Sequence, residues 1–469
     1  MSEDYRITAD LFMLPYRDGN HILYAPRLGF ACIANPDLVN LLASLDDLSP
    51  EALSQQQKAA LEFLNERGIF DASKEASCVK AIPEKYAPTQ VTLFPTNQCN
   101  MRCRYCYASA GERKAMVMDW HYATSAVERV IENLKAKAGK QLMLGFHGGG
   151  EPLYPWQFIR KIVAYAEGRC AREGLTLAAF SATNGILSVK QLEWIVQHFV
   201  NLNISFDGLP RVQDYHRPLA NGKGSFEFVD RTLRFLDEHH FRYGIRSTIS
   251  SYNVDLMEES LDFIGQNYRV KAVHFEPLFY CGRCKTDSGL SPDLERFSRN
   301  FQSCQKKSAS YQIALTYSGC KIENLTSSFC GVSCDNFSVT PDGYVTTCYE
   351  VTSREEPKSD TFFIGTIGQE GTLDIDEQKR RFLHSLTVDH LAYCQDCFAK
   401  WHCGGECAAK LEDMGYTGPR GNDRCLLNRE LIRNRLIGLV EGTYYNPAMR
   451  NCTQDQTGMS ETGIPAVQQ

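Results

Sequence analysis

Cysteine placement constrains this chain more than any other feature. Of nineteen cysteines in 469 residues, three stand in Cys99-Asn100-Met101-Arg102-Cys103-Arg104-Tyr105-Cys106, separated by three and then two residues. Eight more, Cys330, Cys334, Cys348, Cys394, Cys397, Cys403, Cys407 and Cys425, crowd the C-terminal third. The opening residues Met1 to Arg6 are acidic and lack the basic region and apolar stretch of a secretory signal. No apolar run is long enough to span a bilayer, so the expectation is a cytoplasmic chain with no membrane association. Glutathione and thioredoxin keep thiols reduced there, and clustered thiols then point to metal or iron-sulfur ligation, not disulfides.

At 43% hydrophobic and 23% charged, the chain has the apolar content for a sizeable core in two or three domains. A net charge of -6 offers no attraction to phosphate backbones, and no basic block interleaved with aromatics stands out. Nucleic acid is therefore not an expected partner.

Residues 1 to 85 hold three short apolar stretches, Leu11 to Leu14, His21 to Tyr24 and Phe30 to Ile33, separated by turn sequences. Two helical patterns follow, Pro36 to Leu45 behind Asn35 and Pro50 to Arg67 behind Ser49, with Gly68 as a stop. Glu75 to Pro88 reads as a linker. Strand-like runs then alternate with amphipathic helices: Val91 to Phe94, Gln141 to Phe146, Leu177 to Phe180, Leu202 to Phe206, Tyr243 to Ile249 and Ala272 to Glu276. That alternation predicts βα units and a parallel sheet, rolled wholly or partly into a barrel. After about Gln302 the sequence becomes short-patterned and cysteine-rich, as a metal-held core would be.

Three thiolates on one loop after the first strand can hold three irons of a four-iron cluster and leave the fourth open. A structural zinc site normally takes four protein ligands, and no fourth is nearby. With an aromatic, Tyr105, before its last cysteine, this segment resembles the hallmark of the radical S-adenosylmethionine (SAM) superfamily. The resemblance implies that SAM chelates the open iron and that an electron from the cluster cleaves it to a 5'-deoxyadenosyl radical, which abstracts a hydrogen atom.

Further motifs follow the same strand order. His147-Gly148-Gly149-Gly150-Glu151 after the second strand lets backbone approach a ligand closely and adds a carboxylate. It resembles the family's glycine-glycine-glutamate motif, which meets the SAM ammonium. Thr183-Asn184-Gly185 ends the third strand, and Ser205-Phe206-Asp207 ends the fourth. Radical SAM peptide maturases carry a serine here and an arginine twelve positions on, matched by Ser205 and Arg217; Arg217 would pair bidentately with the SAM carboxylate. The expected cofactor-binding residues are Tyr105, Gly149, Gly150, Glu151, Asn184, Ser205, Asp207 and Arg217. Arg246 and Glu276 end the fifth and sixth strands, and a buried salt bridge would also explain them.

The eight C-terminal cysteines make two complete four-thiolate sets. Zinc is the alternative for such pairs. The array resembles the SPASM domain of radical SAM peptide and protein maturases, which implies two auxiliary clusters: Cys330, Cys334, Cys348 and Cys407 on the first, and Cys394, Cys397, Cys403 and Cys425 on the second. With SAM, the cofactors would be three 4Fe-4S clusters. The resemblance as a whole implies an α/β fold: a partial (β/α)6 TIM-like radical SAM barrel over 90–302, an N-terminal winged-helix-like peptide-recognition domain over 1–85, a SPASM domain over 303–440 and a tail over 441–469.

The N-terminal element would add a leader peptide as an extra strand. The expected substrate is a ribosomal precursor peptide receiving an intrapeptide carbon-carbon or carbon-sulfur crosslink, with flavodoxin or ferredoxin as electron donor. The alternative is an anaerobic sulfatase maturase forming formylglycine. In that family an aspartate follows the last upstream cysteine, whereas here Tyr349 and then Glu350 follow Cys348. A non-catalytic iron-sulfur carrier or zinc-stabilised binding protein would not need Glu151, Ser205 and Arg217. Candidate catalytic residues are Tyr349, Glu350 and Cys281, the last in Cys281-Gly282-Arg283-Cys284 near the mouth of the sixth strand.

Overall fold

The computed structural model describes residues 5–7, 9–47, 52–78, 82–279, 281–286, 288–411, 422–443 and 450–451. Ser49, Pro50, Cys452 and nearly all of the expected tail lie outside them.

Strands β1 (Phe12–Pro15), β2 (His21–Ala25) and β3 (Phe30–Ala34) form an antiparallel meander. Period-two alternation gives β2 two apolar faces. Ile22 and Tyr24 enter the main core, while Leu23 and Ala25 join Leu41, Leu61 and Leu64 in a separate small core. Asn35 caps helix Pro36–Ala43 by accepting from the Leu38 N–H at 2.9 Å. The second helix spans Gln55–Glu66, later than expected, because Ser54 and Gln57 form a reciprocal capping box.

The second sheet begins with β4 (Gln90–Leu93), β5 (Gln141–Phe146), β6 (Thr176–Thr183), β7 (Phe199–Ser205), β8 (Tyr243–Ile249) and β9 (Ala272–Pro277). All are parallel, adjacent in sequence order and separated by helices. Parallel strands need such crossovers, and burial on both faces explains their continuous apolar runs.

The sheet does not stop at residue 302, which falls inside helix Leu294–Ser308. Beyond it, β10 (Ala314–Thr316) pairs parallel to β9. At the opposite edge β11 (Ser338–Val339) pairs parallel to β4 and leads into antiparallel β12 (Tyr344–Thr346), β13 (Phe363–Ile367) and β14 (Leu373–Ile375). One mostly parallel eleven-stranded sheet therefore takes strands from both expected domains. Runs of two and three residues are too short to show a period, which hid β10 and β11 among the cysteines. Finally β15 (Arg450–Asn451) pairs parallel to β3. Among the described residues, no helix is long and apolar enough to cross a membrane.

Candidate functional site

The loop after β4 carries Cys99, Cys103 and Cys106 and is pinned by its neighbour. The Arg102 and Arg104 N–H groups donate to Pro218 and His216 carbonyls at 2.8 and 2.9 Å, and the Ala220 N–H donates to the Asn100 carbonyl at 2.9 Å. Cys99 Sγ accepts from the Met101 N–H at 3.4 Å and from Asn184 Nδ2 at 3.7 Å; Cys106 Sγ accepts from the Ala110 N–H at 3.5 Å. Such donors favour a thiolate and suit iron-sulfur ligation. Burial pushes the Cys99 and Cys103 thiols up to about 12, so a metal must displace their protons to bind. Among the described residues, no three His, Cys, Asp or Glu side chains are gathered as a single metal ion would require. A four-iron cube is a wider object, held at its corners.

The glycine loop lies directly on this cysteine loop. A Cβ on Gly150 would stand 2.2 Å from the Gln98 carbonyl oxygen, and the Glu151 N–H donates to that oxygen at 2.8 Å. The Glu151 carboxylate does not project toward a ligand. It is buried and accepts from Thr183 Oγ1 at 2.6 Å, the Asn184 N–H at 2.8 Å and the Leu153 N–H at 3.1 Å. Burial outweighs these donors and raises its pKa to about 7. Glu151 thus fastens the end of β5 to the end of β6. Asn184 continues the chain, giving Nδ2 to Asn100 Oδ1 at 2.7 Å as well as to Cys99.

Asp207 is a second buried hub, with no exposed surface. It accepts from Arg217 Nε and Nη2 at 3.0 and 3.2 Å, from the Thr248 N–H at 2.9 Å and from the Tyr105 hydroxyl, and His216 Nδ1 lies 3.2 Å away. Burial alone would raise its pKa, but Arg217 and His216 overcome it and hold the carboxyl well below the ordinary range. The fork of Arg217 expected on the SAM carboxylate is made instead to Asp207, its bidentate partner here, and the guanidinium carbon lies 5.1 Å from the Tyr105 ring centroid.

Ser205 closes β7 in register with Arg246, itself in register with His274 and then Thr316. This row crosses β7 to β10 on one face. Arg246 is exposed. Glu276 is not available to a ligand: it is buried and engaged by Arg424 Nη2 at 2.9 Å, Ser318 Oγ at 2.8 Å and His274 Nε2 at 2.8 Å.

Tyr349 stacks on His147 at 4.7 Å and shares a 3.1 Å hydrogen bond with Thr92 Oγ1. Glu350 lies 3.7 Å from Lys410 Nζ and contributes to the field at Cys281 and Tyr107. The Cys281 N–H donates to Cys284 Sγ at 3.3 Å. Gly282 leaves no room for a side chain, since its Cβ would meet the Cys106 and Tyr107 carbonyls at 2.2 Å. Arg283 ties this turn to the Cys103 and Ala110 carbonyls and to Glu112.

The C-terminal thiols fall into two neighbourhoods. Cys348 interacts electrostatically with Cys407 and Cys330, and Cys330 with Cys334; Cys403 interacts with Cys425, Cys394 and Cys397. Three buried residues around the second group escaped the sequence reading: Glu406, Arg424 and Asn428. Their one sequence signal is polar residues spaced by four, Arg424 and Asn428, on the helix Asp423–Val440.

Comparison with known proteins fits this geometry. Residues 93–264 match the model of the radical SAM superfamily. An uncharacterised protein of Methanocaldococcus jannaschii is 30% identical over 208 residues, 44% of this chain and 68% of that one. The chain belongs to the radical SAM superfamily. It is also similar to a serine-type anaerobic sulfatase-maturating enzyme of Klebsiella aerogenes, 24% identical over 71% of this chain and 83% of that enzyme. The radical SAM cyclopropyl synthase TigE of Paramaledivibacter caminithermalis is 27% identical over 40% of this chain and 42% of its own length. The solved structure of anSMEcpe with bound AdoMet and Cp18Cys peptide has the same fold, with a TM-score of 0.57 at 15% identity over 75% of this chain and 99% of that one. Membership implies SAM and one SAM-binding 4Fe-4S cluster as cofactors.

Proposed function

We propose that this chain is a radical SAM maturase that takes a hydrogen atom from a ribosomally made precursor peptide and installs an intrapeptide carbon-carbon or carbon-sulfur crosslink. The carrying observation is that one rim brings together the three-cysteine loop, the Gly149-Gly150-Glu151 loop, Asn184 and Arg217. Cys99, Cys103 and Cys106 hold three irons of the first cluster. Backbone at Gly149 and Gly150, with Ser205 and Arg217, receives SAM. Glu151 and Asp207 act as positioning residues, since their carboxylates are fully engaged by protein donors. When bound, cluster and SAM supply reductive cleavage and hydrogen-atom abstraction.

Cys330, Cys334, Cys348 and Cys407 would hold one auxiliary cluster and Cys394, Cys397, Cys403 and Cys425 a second, and such clusters would supply one-electron redox capacity beside the substrate. The N-terminal sheet with its helices acts as a winged-helix-like element that binds the leader by strand addition. A flavodoxin or ferredoxin in the cytoplasm supplies electrons. TigE, named for a cyclopropyl synthesis, and anSMEcpe, solved with a peptide, support a peptide substrate.

The second reading, formylglycine formation on a sulfatase, is favoured by the 71% span shared with the sulfatase-maturating enzyme. Tyr349 in place of an aspartate after Cys348 weighs against it.

The test is 5'-deoxyadenosine release by the anaerobically reconstituted protein with SAM and a strong reductant, then mass spectrometry of the peptide. Release absent from Cys103→Ala, with a peptide two hydrogens lighter and linked between residues, is expected. No release from fully iron-loaded protein with peptide present would favour a non-catalytic iron-sulfur carrier. Formylglycine in a sulfatase peptide would establish the second reading instead.

A further inference from the structure

We infer that Asn428 tunes the reduction potential of the second auxiliary cluster by hydrogen-bonding its ligand Cys403. The inference rests on the proposed ligation of that cluster by Cys394, Cys397, Cys403 and Cys425.

Asn428 is 1% exposed, and its Nδ2 donates to Cys403 Sγ at 3.1 Å. The same Nδ2 donates to Glu406 Oε2 at 2.8 Å, while Oδ1 accepts from the Tyr317 hydroxyl at 2.8 Å. These partners fix which end of the amide faces the sulfur. A flipped amide would set its oxygen against a carboxylate and a thiolate and take this donor from both Glu406 Oε2 and Cys403 Sγ. Space for the amide is reserved by Gly319, where a Cβ would lie 2.1 Å from Asn428 Oδ1.

The acceptor side is held with similar care. Gly404, Gly405 and Glu406 all take left-handed backbone, at φ of 76°, 89° and 72°. For Glu406 that conformation carries a steric cost, and such strain persists where surroundings over-determine it. The restraint is visible: Arg424 Nε donates to Glu406 Oε1 at 2.9 Å, and Arg424 Nη2 reaches Glu276 at the end of β9. A buried chain of hydrogen bonds thus runs from the strand that closes the SAM domain to the sulfur of Cys403.

Reduction adds one electron to a cluster whose sulfurs already carry negative charge. An N–H donor to a ligand sulfur stabilises that extra charge and raises the potential. In a dry, preorganised setting the effect is not diluted by water. Removing the donor should therefore lower the potential of one cluster and leave the other two unmoved.

The experiment compares wild type, Asn428→Leu and Tyr317→Phe, each reconstituted as the full chain, by iron analysis and redox potentiometry followed by EPR. Asn428→Leu is expected to keep about twelve irons. One of its midpoints should fall so that the reduced-to-oxidised ratio at fixed potential drops about tenfold, ~59 mV for one electron. Tyr317→Phe, which frees the amide without removing it, should move the same midpoint in the same direction by less. Full iron with three unmoved midpoints overturns the inference alone. About four irons in the wild type would instead remove the auxiliary-cluster reading, and the inference with it. If Asn428→Leu loses its cluster, Tyr317→Phe decides: a lowered midpoint supports the assignment, and three unchanged midpoints overturn it.

Discussion

Arg217 meets Asp207 edge-on, with Nε and Nη2 at 3.0 and 3.2 Å from the two carboxylate oxygens, beneath a surface that leaves Asp207 wholly unexposed. The arrangement is a bidentate fork of the kind expected for the SAM carboxylate, turned inward onto the protein. The consequence is a guanidinium held in place before any ligand arrives.

Asp207→Asn removes the countercharge and leaves Arg217 buried and unpaired, so stability should fall by about 3–5 kcal/mol. The sign with pH follows from the lowered pKa: this contribution is present above the ordinary carboxylate range and lost only as pH falls through the depressed value. Urea midpoints of wild type and variant should therefore differ by a constant amount from pH 5 to 8. A gap that closes in that window would show that Asp207 is not ionised throughout.

Glu151 runs the other way. Its ordinary value of 4.5 is raised to about 7 in the fold, so the folded state binds the proton more tightly. Its stabilising contribution is complete below pH 4.5 and is lost as pH rises through 7, a change of about 3–4 kcal/mol. Glu151→Gln, neutral at every pH, should flatten this slope. Denaturant midpoints at pH 5.5 and 8 check it, and parallel slopes in variant and wild type would contradict the assignment.

Gly150→Ala tests the packing of the two loops. The new methyl group would lie 2.2 Å from backbone at Gln98, which a flexible side chain cannot relieve. The cysteine loop must move, so iron at the first cluster and 5'-deoxyadenosine release should drop by about tenfold or more while the far-UV spectrum is kept. Normal release would mean that the loops slide apart at little cost.

The parallel strands β4 to β9 were legible because each is four to eight residues long and separated by an amphipathic helix. Thiol spacing made the three-cysteine loop equally plain. The roles of Glu151 and Asp207 were not legible, because a carboxylate at a strand end looks the same whether it faces a ligand or a neighbouring strand. Glu151 binds residues 32 and 33 positions away, and Thr248 lies 41 positions from Asp207. Arg424 joins Glu276 across 148 residues, a pairing that no local pattern announces. The short strands β10 and β11 were hidden for the reason that also merges the expected domains: neighbours in the sheet supply the hydrogen bonds that two or three residues cannot supply alone.

The candidate catalytic residues separate in a last prediction. The Tyr349 hydroxyl is engaged with Thr92 and its ring with His147, so Tyr349→Phe removes one hydrogen bond and should leave turnover within about a factor of ten, on the order of 1 kcal/mol. Glu350 is half-buried, 3.7 Å from Lys410, and close enough to Cys281 to add to the upward shift that the Cys284 contact and burial impose on that thiol. That position suits a base that takes a proton from substrate. Glu350→Gln should then lower crosslinked product by about a hundredfold, the usual reach of a general base, while 5'-deoxyadenosine release stays close to wild type. Both quantities come from one assay, with product and 5'-deoxyadenosine measured together. Equal losses of the two would move Glu350 from proton transfer to SAM binding. A product loss confined to Tyr349→Phe would give the role to the tyrosine, whose hydroxyl would then have to leave Thr92 during turnover.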